Sequence, residues 1–168
     1  MAIHKNTTRY LVILALCTAI IFVQQVAFAW LPNIELVSLL VIIYTLTFRH
    51  KVLYIIYAFV LLEGVTYGFN LWWVIPYLYV WTILAGVAWL FRSMRSSLGW
   101  AVLSGVFGLL FGALCAIPYL FIGGPATAFA YWVSGIPFDI AHCAGNFLLC
   151  LLLWKPLYKL LTERLKLQ

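Results

Sequence analysis

Apolar residues run along this chain in long stretches, separated by short polar or turn-forming clusters. The first stretch covers about Tyr10–Ala29 and stops before Pro32. A second runs from about Ile34 to Phe48 and ends at the basic triplet Arg49-His50-Lys51; a third follows from Val52 to about Tyr67, where Gly68-Phe69-Asn70 makes a turn. The fourth begins near Trp72 or Pro76, since proline suits a first helical turn, and ends at Phe91 before the polar loop Arg92–Ser97. The fifth covers about Leu98–Leu120, with Pro118 bending its last turn. Beyond Gly123-Gly124-Pro125 a sixth, interrupted early by Pro137, continues to about Leu161. Residues Ala126–Ser134 form either its kinked first part or a separate segment lying on the outer surface. A helical crossing needs roughly 20 residues, so the pattern predicts an all-α integral membrane protein: one domain, residues 1–168, of six transmembrane helices.

Composition agrees. Of 168 residues 67% are hydrophobic and 8% charged, where an ordinary soluble domain is about a quarter charged. The mean hydropathy is +1.10. Lipid must replace the missing polar coat, and no length remains for a soluble catalytic domain. Lys5 and Arg9 precede an apolar run ending Ala27-Phe28-Ala29, which superficially matches a signal-peptidase site, but the run Tyr10–Trp30 exceeds a typical signal core and is long enough to span. It is expected to stay as the first span.

Charge then orients the helices. Lys5 and Arg9, Arg49 and Lys51, Arg92 and Arg95, and Lys155, Lys159, Arg164 and Lys166 account for every Lys and Arg. With six crossings all of them fall on one side, which by the positive-inside rule is the cytoplasm. Both termini are therefore expected inside, in a cell membrane, and the net charge of +6 reflects topology rather than nucleic-acid binding. Glu35, Glu63 and Asp139 lie at or towards the outer face, with Glu63 roughly 18 Å above the inner boundary at ~1.5 Å per residue.

Ionisable groups within a span are functional candidates. Gly135, Asp139, His142 and Asn146 share one helical face and descend from the outer surface towards mid-membrane. They form either a polar site or a hydrogen-bonded network that holds helices together. Glu63 and Tyr67 share a face, followed by Asn70, Trp72, Trp73 and Tyr77, with Trp132 and further aromatic residues on the same side. Such rings form an interfacial belt or cap a pocket and stack on a flat ligand. Glu35, beside Asn33, stands at the same level. Ser104, Gly108, Gly112 and Ala116 recur every fourth residue, a stripe for close helix packing, internal or between copies. At least one of Gln24 and Gln25 should face protein rather than lipid. Cys17, Cys115, Cys143 and Cys150 lie in apolar runs without metal spacing and act as small apolar residues. No phosphate-binding loop, HExxH or GxSxG is present. The chain is expected to be no enzyme, to hold no metal and no intrinsic cofactor, and to draw any transport energy from a partner.

Several segments resemble the substrate-binding S-components of energy-coupling factor (ECF) transporters. They are the Ala15-xxx-Ala19 pair, Pro32-Asn33-Ile34-Glu35-Leu36-Val37, Pro137-Phe138-Asp139-Ile140-Ala141-His142, Asn146, and Lys155-Pro156-Leu157. The resemblance extends over the whole chain. It implies a vitamin or related micronutrient captured from outside, between the outer loops and helices 4 to 6. It also implies docking through Ala15 and Ala19 on a transmembrane coupling subunit, with two cytoplasmic ATPases supplying energy, and an S-component that topples in the membrane. An aromatic mouth suits a large flat ligand, a tetrapyrrole such as cobalamin or haem first, then a flavin or pterin; the absence of outer Lys or Arg disfavours a highly anionic one. The alternative is a structural membrane protein of the MreD-like cell-shape type without a transported ligand. An intramembrane enzyme using Glu63, Asp139 and His142 would lack a nucleophile.

Overall fold

The computed structural model describes residues 3–31 and 33–165, with side chains from Thr8 to Glu163. Pro32 and Lys166 lie outside the described residues, as do the side chains of Lys5 and Arg164. Every regular element among them is helical: α1 (Ile3–Ala27), α2 (Val37–Phe48), a 3-10 turn (Arg49–Lys51), α3 (Val52–Tyr67), α4 (Leu71–Leu90), α5 (Ser97–Cys115), α6 (Ile117–Ile122) and α7 (Gly124–Leu165). Five helical stretches are long and apolar enough to cross a membrane.

One of those five runs from Val37 to Tyr67 through the 3-10 turn. A straight rod of that length would hold Glu35 and Glu63 some 40 Å apart at ~1.5 Å per residue. Both line a single cavity, so the chain doubles back at the turn. Arg49 makes the reversal with a left-handed φ of 56°, and the basic triplet keeps the turn polar. Lys51 Nζ sits 4.3 Å from the Tyr10 ring centre, and Tyr10 packs edge-on against Phe48. The start of α1 and the α2–α3 turn therefore share one end of the bundle. Trp100 near the start of α5 stacks on Trp154 of α7 and donates from Nε1 to the Met94 carbonyl at 3.0 Å, which sets the α4–α5 loop with Arg92 and Arg95 on the same side as Lys155.

The helix ends follow local chemistry. Asn70 caps α4 by accepting the Trp72 N–H at 2.9 Å, and Ser96 caps α5 by accepting that of Gly99 at 3.1 Å. Capping by Asn70 starts α4 earlier than proline alone implies, leaving Pro76 inside the helix. Pro118 does more than bend a turn: α5 ends at Cys115 and a separate short α6 begins. Proline has no N–H for the Leu114 carbonyl four residues earlier, and the Tyr79 hydroxyl donates to that carbonyl instead, at 2.6 Å. Pro137, by contrast, is absorbed. Ala126–Ser134 belongs to one helix of 42 residues that contains both Pro137 and Pro156. At ~1.5 Å per residue α7 is about 63 Å long, about twice the ~30 Å that a crossing of the hydrocarbon needs.

Exposure is inverted relative to a soluble protein. Leu11, Leu16, Val23, Leu148 and Leu152 are more than half exposed, while Ser38, Ser104, Asn146 and Asp139 are buried. Large exposed apolar surface of this kind calls for a non-aqueous neighbour. Thr18, Thr45, Thr47 and Thr82 each donate to the carbonyl four residues earlier in their own helix, so their hydroxyls remain satisfied without water.

α5 lies closest along α7. A methyl group on Gly105 would meet the Cys143 carbonyl at 3.3 Å, and one on Gly108 would meet the His142 carbonyl carbon and oxygen at 2.9 Å. The same operation at Gly112 runs into the Asp139 carboxylate. The small-residue stripe of α5 is thus spent on internal packing.

Candidate functional site

The end of the bundle remote from the described Lys and Arg residues holds a cavity of about 410 Å³. The end of α1 supplies Gln25, α3 supplies Glu63 and Tyr67, α4 supplies Trp73 and Tyr77, α5 supplies Phe111, and α7 supplies His142. The connector between α1 and α2 closes one side through Phe28, Leu31, Asn33, Ile34 and Glu35.

That connector explains how Glu35 reaches the site. Leu31 and residues 33–36 are irregular rather than helical, and Asn33 adopts a left-handed φ of 57°. Asn33 Nδ2 donates to the Phe138 carbonyl of α7 at 3.0 Å, and the backbone of residues 33 and 34 lies over Gly145. Gln24 Oε1 accepts the Leu36 N–H at 2.8 Å, serving one of the orphan donors that precede α2. Both glutamines of α1 face protein: Gln24 fixes the connector, and Gln25 lines the cavity.

Inside the cavity, His142 Nε2 lies 3.4 Å from Glu35 Oε1. The pair is close enough for ionic contact, but no hydrogen bond aligns, and both imidazole nitrogens lack a partner. Glu63 is 4% exposed and its Oε1 is likewise unpartnered. The walls are aromatic. Phe111 meets the His142 ring edge-on at 4.9 Å, Trp73 meets Tyr77 at 5.4 Å, and Tyr77 packs on Trp81 behind it. Polar groups converge within an apolar shell, the usual build of a small-molecule site.

Of the eleven candidate contact residues read from the sequence, Glu35, Glu63, Tyr67, Trp73, Tyr77 and His142 line this cavity. The others are placed elsewhere. Asn70 is the α4 cap. Trp72 stacks on Tyr119 at 5.3 Å, and Tyr119 on Tyr131 at 4.2 Å, tying α4, α6 and α7 together. Trp132 faces a shallow recess between α5, α6 and α7, against Phe129. Asp139 accepts the Gly112 N–H at 2.9 Å. Asn146 donates to Ser38 Oγ at 3.0 Å and to the Ser104 carbonyl at 3.4 Å. The polar stripe of α7 therefore divides: His142 lines the cavity while Asp139 and Asn146 tie helices together.

Asn146 gives the first prediction. Replacing it with leucine removes two cross-helix hydrogen bonds, and such bonds in membrane proteins average about 0.6 kcal/mol and reach about 1.7. Asn146→Leu is expected to cost about 1 kcal/mol, read as a lower unfolding midpoint in detergent, with the cavity intact.

Sequence reasoning missed Phe28, Ala29, Leu31, Ile34 and Phe111. Only Phe111 carried a signal, because it follows Phe107 by one turn, and both pack on Trp81. Among the described residues no group of three or more His, Cys, Asp or Glu side chains is arranged to hold a metal ion.

No family model matches the chain, and neither a curated protein nor a solved structure matches it.

Proposed function

We propose that this protein is the substrate-binding subunit of an ECF-type importer, a non-enzymatic six-span protein of the cell membrane with both termini in the cytoplasm. On this reading it captures a vitamin-class compound in the cavity from outside. It then delivers the compound by docking on a transmembrane coupling subunit driven by two ATPases.

The observation that carries the proposal is the separation of two chemistries along the helix axes. The described Lys and Arg residues occupy one end, which the positive-inside rule assigns to the cytoplasm, and the cavity with Glu35, Glu63 and His142 occupies the other. The reversal at Arg49 supports six crossings, because it divides the Val37–Tyr67 stretch into two helices that run back along each other. A volume of about 410 Å³ lies within the ~300–1,000 Å³ of small-molecule sites. A flavin-sized or pterin-sized ring matches that volume better than a tetrapyrrole does. A structural subunit of the MreD-like type has no use for such a cavity.

The test is mass spectrometry of the small molecules released on denaturing the purified protein. One vitamin-class compound at near-stoichiometric amount is expected. An extract without any such compound, from protein that also fails to bind added vitamins, would return the structural reading.

A further inference from the structure

We infer that the ligand of this cavity is a compact, flat organic cation whose N–H donors meet Glu63 and Glu35. The inference rests on the solute-binding reading above and adds the charge class that the site selects.

The cavity has acceptors to spare, and its one side chain able to carry positive charge, His142, already faces Glu35. Its lining includes two carboxylates and, among the described residues, neither Lys nor Arg. Glu63 is almost wholly buried and leaves Oε1 unpartnered. Gln25 Oε1 is unpartnered as well. Glu35 has His142 beside it at 3.4 Å without an aligned hydrogen bond. Buried polar atoms are rarely left unpaired, and an unpaired buried carboxylate is among the most costly. A bound group carrying positive charge and N–H donors answers this deficit. A bound anion would add to it, with no fixed cation lining the cavity to offset the repulsion.

The walls select in the same sense. Trp73, Tyr77 and Phe111 present aromatic surface around the carboxylates, and the negative faces of such rings attract cations within about 6 Å. Ring stacking accounts for flatness, the two carboxylates for charge, and the volume for compactness. A dicarboxylate such as haem falls outside this class.

The test uses the purified full-length protein in lipid nanodiscs and a fixed panel of probes. Thiamine and pyridoxamine represent aromatic cations, riboflavin an uncharged ring, and biotin, folate and haemin the anions. Tryptophan fluorescence and the unfolding midpoint report binding. At least one cation is expected to quench fluorescence and raise the midpoint, while the anions do neither. Glu63→Gln should weaken that binding by at least about tenfold, because hydrogen bonds to charged groups contribute about 1.5–3 kcal/mol. Glu35→Gln provides a second reading if Glu63→Gln elutes as aggregate. Binding confined to riboflavin or an anion, undiminished cation binding in both variants, or silence across the panel would each overturn the inference. Any of these accompanied by a co-purified vitamin would leave the importer reading standing.

Discussion

Gly108→Leu is expected to destroy the folded monomer, cutting the yield of monodisperse protein to a small fraction of the parent's. The reason is the spacing of α5 against α7. A Cβ at residue 108 would already lie 2.9 Å from the His142 carbonyl group and 3.0 Å from the Cys143 nitrogen. These are backbone atoms of a neighbouring helix, so no rotamer change relieves the contact. Overpacking an adaptable core costs about 1–3 kcal/mol; here the two helices must separate, which places the cost at or above the upper end. Separation also pulls Asp139 from the Gly112 N–H, a bond that depends on the same approach. Gly86→Leu on α4 is the control, because a Cβ there meets nothing within 4 Å. Size-exclusion profiles and thermal melts of the two variants should diverge. Comparable behaviour would mean that the α5–α7 contact does not set stability.

The helical, membrane-length character of the chain was legible because it depends on local quantities: the length of apolar runs and the scarcity of charge. The helix Val52–Tyr67 is the clearest case, bounded by a basic turn and by Gly68 at a φ of 87°. Boundaries set by tertiary contacts were not legible. Helix α2 starts at Val37 rather than Ile34 because Asn33 and Gln24 hold the preceding connector in an irregular path. Nothing in the local pattern announces those partners. Prolines illustrate the same limit, since Pro118 separates two helices and Pro137 does not. The candidate site was legible as a set of polar and aromatic residues at one end, but not as a cavity. Trp72 and Trp73 are adjacent in sequence yet point to different neighbours, one to Tyr119 and one to Tyr77. Asp139 and His142 share a face, but a glycine N–H lies opposite one and a void opposite the other. Periodicity assigns a face; only the packed partner decides whether it binds or braces.

Ala15→Trp combined with Ala19→Trp is expected to abolish coupled uptake while leaving ligand binding unchanged. On α1, Leu14, Cys17, Thr18 and Ile21 are buried against the bundle, whereas Ala15 and Ala19 are exposed together with Leu11, Val12, Leu16 and Ile20. Bulk added at Ala15 and Ala19 therefore projects away from the fold and from Gln25, the one residue of α1 in the cavity. Small residues one turn apart let another helix approach closely in a membrane, and two indoles would hold such a helix several ångströms away. Under the importer reading the variant should no longer co-purify with the coupling subunit or support uptake in cells, yet should bind ligand and unfold as the parent does. Ala130→Trp, at an exposed position on α7, controls for bulk as such. Uptake that persists in the double variant would remove this face from the docking surface. Loss of ligand binding along with uptake would mean that the face contributes to the cavity through the α1–α2 connector, contrary to the division between a coupling end and a binding end.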